Sequence, residues 1–372
     1  MKKYIVIALA ALVAFAACTK VNPEEKKAEK ISFQVATYMT KAQGNNFLAE
    51  CPNFFTNAWY NPVSGAAQYY MQNVEILPDD NEAPTQWAPA EAYYWPKSGS
   101  INFFSYASKN ALAAAELNFG TDATPAGSVF KITGHKVVAD DNIMIADAVY
   151  NASKNVNTVT DDLTSGEDSG FEGVPTMFRH LLAQVKFNIG LATTTPTTGS
   201  TNYIAKVTSA KVVKVVNKGT ITLTAGTTTS TALDTKPWSP ASDGTVVGWT
   251  ASTTTTDVDE LTLANTKALN LEAGETEGNS ELFLDFRSVL PQTLTDNIVL
   301  TIKYDLQTLH GTTVYLDEKD LEVSAKLNTT TIKNWCMNKR YTYNITIDPV
   351  TDIITFDPAV AEWTSASATI AF

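Results

Sequence analysis

Alternating apolar and polar residues, in segments rich in β-branched and aromatic side chains, limit the fold of this chain more than any other feature. Such segments recur at 31–36, 100–106, 182–189, 206–216, 281–286, 298–304 and 340–347. A period of two residues places apolar side chains on one face of a β-strand. Long stretches of strong helix formers are nearly absent. The sequence therefore predicts an all-β protein with one short helix, at 108–117.

Length and composition predict two compact units. The chain has 372 residues, 44% of them hydrophobic, which is enough for about two domains of roughly 150 residues each. The stretch at 160–173 is acidic, contains Ser and Gly and lacks an apolar run, so it is the preferred boundary. A Thr-rich stretch at 193–201 is a second candidate. We expect an N-terminal domain over 42–173 and a C-terminal domain over 174–372.

Catalytic and metal-binding patterns find little support in the sequence. The three histidines lie far apart, without the spacing of a zinc site or a nucleophile motif. The acidic stretch at 161–168 lacks the ligand register of a calcium loop, which favours a solvated loop over a cation site. A net charge of −12 argues against a nucleic-acid partner. We expect no enzyme, metal or cofactor, and a disulfide between Cys51 and Cys336 is left open.

The first eighteen residues have the form of an export signal. Lys2 and Lys3 precede an apolar run too short to span a membrane, and small residues come before Cys18. Small residues followed directly by cysteine resemble a bacterial lipoprotein box, in which the cysteine thiol is acylated and the peptide before it, here 1–17, is removed. An ordinary signal peptide that happens to end near a cysteine is the alternative. We expect a lipid-anchored precursor.

Four local strings, in this order along nearly the whole chain, resemble the fimbrillins, the subunits of lipoprotein-derived type V pili of Gram-negative anaerobes. They are Tyr93-Tyr94-Trp95-Pro96 followed by 101–106, then Met144-Ile145-Ala146, then 175–187, and finally 354–358 with Ala361-Glu362-Trp363. Asn142 stands where the family usually has Asp. The resemblance implies two tandem β-sandwich domains of transthyretin-like fold. It also implies an outer-membrane lipoprotein precursor that becomes part of a cell-surface fimbria supporting adhesion.

The segment 18–41 is expected to comprise a lipidated tether and a removable strand. Ile31, Phe33, Val35 and Met39 share one parity, so a strand through them has an apolar face that needs a groove. Next, Lys41-Ala42 resembles the site at which a surface protease cuts fimbrillin precursors, although the family commonly has Arg there. Cutting would free the strand. The alternative is a permanent first strand followed by a solvated lysine.

The last residues of the chain resemble a donor strand. Ala366, Ala368, Ile370 and Phe372 share one parity in a segment without charged residues. In the family, the C-terminal strand of a neighbouring subunit fills the vacated groove by strand addition, and such head-to-tail contacts build an open fibre. The resemblance therefore implies a stalk subunit. Its expected partners are further copies, anchor and tip subunits, the protease, the membrane before processing, and a host or bacterial surface ligand.

A second class of function stays open, that of a non-polymerising surface lipoprotein. Such a protein would be a pilus anchor or tip subunit, or an adhesin that binds glycan or a host ligand. Aromatic side chains are the candidate platform for a sugar, although in a β-sandwich they more often belong to the core. The residues concerned are Trp59, Tyr60, Tyr69, Tyr70, Trp87, Tyr93, Tyr94 and Trp95.

Overall fold

A computed structural model describes most of the chain. The described residues are 29–37, 45–81, 84, 86–114, 116–119, 129–152, 173–191, 201–225, 238–239, 249–251, 258–262, 269–272, 286–348 and 353–362. They contain strands and one six-residue helix, α1 (Asn45–Glu50). The all-β prediction is therefore confirmed. Within the described part of the chain, no helix is long and apolar enough to cross a membrane.

The strands are numbered in chain order. The first twelve are β1 (Phe33–Thr37), β2 (Phe54–Asn61), β3 (Gln68–Pro78), β4 (Trp87–Pro89), β5 (Ser100–Ser108), β6 (Leu117–Phe119), β7 (Val129–Lys136), β8 (Ile143–Ala146), β9 (Val149–Ala152), β10 (Val174–His180), β11 (Ala183–Leu191) and β12 (Thr201–Val216). The others are β13 (Lys218–Ala225), β14 (Trp238–Ser239), β15 (Trp249–Ala251), β16 (Val258–Thr262), β17 (Leu269–Glu272), β18 (Arg287–Val289), β19 (Gln292–Thr293), β20 (Val299–His310), β21 (Thr313–Lys326), β22 (Asn334–Trp335), β23 (Lys339–Asp348) and β24 (Ile353–Glu362).

The N-terminal strands form a closed ring. Their order is β2-β3-β4-β1-β10-β8-β5, and β5 pairs again with β2, while β9 pairs with β5 beside β8. A sheet that returns on itself is a barrel and has no open edge in the ring. The inside of this barrel is a hydrophobic core that includes Phe33, Phe54, Trp87, Phe103 and Phe178.

The outer face of the barrel wall is also covered. In β2, Phe54 and Ala58 belong to the barrel core, whereas Trp59 belongs to a second core. This second core also takes Phe130 from β7 and Ile221 from β13. Those strands lie in a five-stranded sheet with the order β14-β13-β7-β6, in which β15 also pairs with β13. The wall strand β2 is therefore buried on both faces.

The C-terminal strands form a sandwich. One sheet has the order β18-β11-β23-β24, and the other has the order β16-β12-β20-β21 with β17 beside β12. Alternate residues of β11 and β23, such as Val185, Phe187 and Tyr343, share a third core with alternate residues of β12 and β20. Alternating burial on facing strands is the pattern that packs two sheets together. The short pair β19–β22 completes the strand pairing.

One prediction is wrong, and one question that the sequence left open is answered. The predicted helix at 108–117 is wrong, because β5 continues to Ser108 and β6 begins at Leu117, with a turn in which the Glu116 amide donates to the Ala113 carbonyl. Both ends of the segment are instead held in strands, because Ser108 pairs with Ile143 of β8 and Leu117 pairs with Ile132 of β7. Cys51 and Cys336 are both buried and form no disulfide with each other.

Strand pairing also crosses residue 173, the expected domain boundary. Strand β10, which follows it, pairs with β1 and β8 of the barrel, and β13 pairs with β7. A polar, apolar-poor stretch marks a connection between strands, but it does not determine which sheet the next strand joins. The division into two domains stays a prediction.

Candidate functional site: the closing strand and its groove

The segment 29–37, which contains β1, is hydrogen-bonded along both edges. On one side β1 pairs in parallel with β10, from Phe33 opposite Val174 to Thr37 opposite Phe178. On the other side Phe33 lies opposite Trp87 of β4. Ahead of β1, the Ile31 amide donates to the Tyr93 carbonyl at 2.8 Å. The first described segment of the chain is therefore a central strand that closes the barrel. We call it the closing strand, and the space it fills the β1 groove.

The apolar face of the closing strand is fully buried. Ile31, Phe33 and Val35 are 1%, 0% and 2% exposed. The ring of Phe33 lies edge-to-face against Phe54 and Phe103, with both centroid distances 5.5 Å. Edge-to-face pairs add to the stabilisation that comes from burial alone. The predicted parity of these three residues thus corresponds to burial in one core.

A close backbone approach positions the strand at Gly173. This residue has φ +145°, and a Cβ added to it would lie 2.9 Å from the Ser32 carbonyl oxygen. The adjacent Val174 amide donates to that same oxygen at 2.8 Å. A side chain at 173 would push the closing strand away from β10. Sequence reasoning missed Gly173, for which the only signal was a glycine directly before a strand.

The loop at 93–95 forms the second contact that sequence reasoning missed. The Trp95 amide donates to the Glu29 carbonyl at 2.9 Å, and Lys30 forms a β-bridge with Tyr94. In the sequence, the string Tyr93-Tyr94-Trp95 stands out only as part of a family resemblance. In the structure its backbone is one wall of the β1 groove.

Strand β10, the other wall, is held by buried polar contacts. Arg179 makes two hydrogen bonds to Asp147, at 2.9 and 2.8 Å. His180 Nδ1 lies 2.8 Å from the Asn142 side-chain oxygen, and Asn142 donates its amide to Glu50 of α1 at 2.7 Å. Burial, together with the charge of Arg340, lowers the pKa of His180 to about 3. Burial raises the pKa of Glu50. Wall strand and helix therefore form one hydrogen-bonded unit.

Several predicted site residues lie outside the described residues. They are Cys18, Met39, Lys41, Ala42, Ala366, Ala368, Ile370 and Phe372. Their roles in lipidation, processing and strand donation stay predictions. The described chain ends with β24, which stands at the end of its sheet order and directly precedes the C-terminal segment.

The aromatic residues differ widely in exposure. Trp59 and Trp87 are each 1% exposed, whereas Tyr69 and Tyr94 are 43% and 41% exposed. The hydroxyls of Tyr60 and Tyr70 donate to the Ser98 and Tyr94 carbonyls. Most of these rings therefore pack against the barrel and its loops. Among the residues the structure describes, no group of three or more His, Cys, Asp or Glu side chains is arranged to hold a metal.

Comparison with known families decides the affiliation. A family model described as fimbrillin-like matches residues 34–363. The chain belongs to the fimbrillin-like family. The resemblance predicted from four short strings is thereby confirmed. Among curated proteins, none matches this fimbrillin-like chain.

One of the solved structures similar to this fimbrillin-like protein shares its fold, and two others are more distantly similar. A fimbrial protein from Bacteroides vulgatus is 15% identical, with 90% of this chain and 100% of that chain covered and a TM-score of 0.57. A candidate cell adhesion protein from Bacteroides uniformis is 14% identical, with 90% and 98% covered and a TM-score of 0.48. The C-terminally truncated tip fimbrial protein Mfa3 from Porphyromonas gingivalis is 10% identical, with 90% and 100% covered and a TM-score of 0.35.

Proposed function

We propose that this fimbrillin-like chain is a stalk subunit of a cell-surface pilus. In this proposal it is exported as a lipoprotein acylated at Cys18, cut between Lys41 and Ala42, and polymerised by strand exchange. Membership of the fimbrillin-like family supports a pilus role, and the fold shared with a Bacteroides fimbrial protein is consistent with it. Assembled fibres would support adhesion to a host or bacterial surface ligand.

The observation that carries the proposal is the position of the closing strand. It precedes every other segment that the structure describes, yet it lies in the middle of the barrel sheet, hydrogen-bonded to β10 on one side and to β4 and the loop at 93–95 on the other. A segment that comes before the other described strands in the chain can be released by one cut after it, without interrupting the rest of the described fold. Removal would expose two unpaired backbone edges and an apolar groove, which is a template for another strand.

The burial energy of the closing strand is large enough that the groove is expected to take up another strand rather than stay empty. Burying each of Ile31, Phe33 and Val35 contributes about 1.5–3 kcal/mol, hence about 5–9 kcal/mol for the three. A whole domain is stable by only about 5–15 kcal/mol. A barrel that lost this contribution without replacement would be close to unfolding. The uncharged segment with Ala366, Ala368, Ile370 and Phe372 in a neighbouring subunit is the proposed replacement.

The supply of that strand by a neighbour accounts for a fibre. A groove near the N-terminus and a donor at the C-terminus are different surfaces, so each contact is head-to-tail. Contacts of this kind propagate without closing. Further copies form the stalk, anchor and tip subunits end it, and a surface protease starts assembly.

Intact-mass measurement and N-terminal sequencing of protein sheared from cells test the proposal. We expect a mature chain that starts at Ala42 and an SDS-sensitive ladder. Lys41→Gln should leave the closing strand attached and abolish the ladder, whereas Lys30→Gln, a matched change upstream, should leave it intact. Deletion of 366–372 should allow processing but prevent polymerisation. A monomer that keeps its acylated Cys18, with or without the deletion, would overturn the proposal.

A further inference from the structure

We infer that Phe47 of α1 holds the two walls of the β1 groove apart when the closing strand is absent. The inference rests on the proposed release of the closing strand. It adds a residue that positions the emptied groove so that a new strand can enter.

The contacts of Phe47 connect both walls. Its side chain is 1% exposed. Its ring stacks on Phe178 of β10 at a centroid distance of 4.5 Å and lies edge-to-face against Trp87 of β4 at 5.2 Å. Strands β10 and β4 are the neighbours of β1 on its two sides. One ring inside the barrel therefore touches an aromatic residue from each wall.

Helix α1 lies against β1, but it is also attached to the barrel by contacts that do not involve the closing strand. Glu50 accepts a hydrogen bond from Asn142, next to β8, and Asn142 contacts His180 of β10. The Cys51 amide donates to the Phe47 carbonyl at 2.8 Å, and Cys51 is itself fully buried. The expected cut after Lys41 precedes α1 in the sequence. Phe47 thus stays with the barrel when the closing strand leaves.

Strand spacing explains why a spacer is needed. Neighbouring strands lie about 4.8 Å apart, so β10 and β4 are about 10 Å apart while β1 lies between them. Once β1 is gone, exposed apolar side chains and unpaired backbone groups favour closure of this gap. A ring in contact with Phe178 and Trp87 resists closure because the walls cannot approach without displacing it.

Strand exchange into nicked protein tests this role. A single engineered protease site is placed between Thr37 and Asn45 in the full chain, and the purified protein is cut. A fluorescent peptide of residues 29–37 is then added, and its uptake is followed by anisotropy. The variants are Phe47→Ala, Phe47→Leu and Phe130→Ala. Phe130 is a matched control because it is 0% exposed but lies in the second core. Unfolding of each uncut variant is measured in parallel.

The wild-type and Phe130→Ala proteins should take up the peptide with similar affinity. Phe47→Ala should bind it roughly tenfold or more weakly, because only a small fraction of emptied grooves would be open, and Phe47→Leu should be intermediate. Global destabilisation would affect Phe130→Ala as much as Phe47→Ala. Equal uptake by all variants would overturn the role of Phe47 and leave strand release standing. Failure of the wild-type protein to exchange at all would overturn the release of the closing strand, and with it this inference.

Discussion

Replacing Phe33 with alanine is the sharpest test of the closing strand. Phe33 is completely buried and lies between Phe54 and Phe103. Removal of a buried phenylalanine side chain costs about 3–5 kcal/mol, which includes its ring contacts. The apolar face of the strand contributes about 5–9 kcal/mol in total. Phe33→Ala should therefore remove about half of what holds this segment.

Two backbone amides report directly on the opening of the closing strand. The Val174 amide donates to Ser32, and the Trp95 amide donates to Glu29. A loss of about 3–5 kcal/mol in local stability should accelerate hydrogen exchange at both amides by roughly 10²- to 4 × 10³-fold. Gln34→Ala is the matched control, because Gln34 lies on the same strand but on the opposite face, half-buried.

The control variant should leave exchange at both amides within a few-fold of wild type, while amides of the C-terminal sandwich should be unaffected by either change. Equal exchange in Phe33→Ala and Gln34→Ala would refute the argument that the apolar face of the closing strand keeps the barrel closed. Exchange that rises equally throughout the molecule would show that the strand opens only by global unfolding.

Three further outcomes are expected. Gly173→Ala should displace the closing strand, because its Cβ would lie 2.9 Å from the Ser32 carbonyl oxygen, and limited proteolysis at 29–37 should become faster than in Gly190→Ala. The pKa of His180 falls to about 3 through burial and Arg340, so folding excludes a proton that the unfolded chain binds below about pH 6.5. Stability should therefore fall by up to about 1.4 kcal/mol per pH unit on acidification below that value. In urea unfolding measured at several pH values, the unfolding free energy of His180→Gln should depend less on pH. For His135, burial lowers the pKa but Asp141 and Glu116 together raise it above its usual value. Its stabilisation is thus present below about pH 6.5 and lost as pH rises through the folded pKa. His135→Gln should abolish this pH-dependent stabilisation in the same urea unfolding assay.

Alternation in the sequence predicted which side chains of the closing strand are buried, but not which strands surround it. Ile31, Phe33 and Val35 share a face because the side-chain period of a strand is two. The parallel partner β10 begins at Val174, far along the chain, and no local pattern encodes a pairing over that distance. The same limit applies to the loop at 93–95. At 108–117 the sequence predicted a short helix, but strand pairing holds both ends of that segment, Ser108 with β8 and Leu117 with β7.

The covalent link between the closing strand and α1 explains how one segment can stabilise the barrel and still be released by the cut that we propose. While the link is intact, the strand is held at an effective concentration in the millimolar range, so its burial energy stabilises the barrel directly. After a cut, the same contacts must also offset the loss of translational and rotational freedom, estimated at about 4–15 kcal/mol. A gross contribution of about 5–9 kcal/mol from three side chains is then comparable with the cost of holding a free peptide. A cut between Thr37 and Asn45 therefore makes the closing strand exchangeable, without altering a single contact inside the barrel.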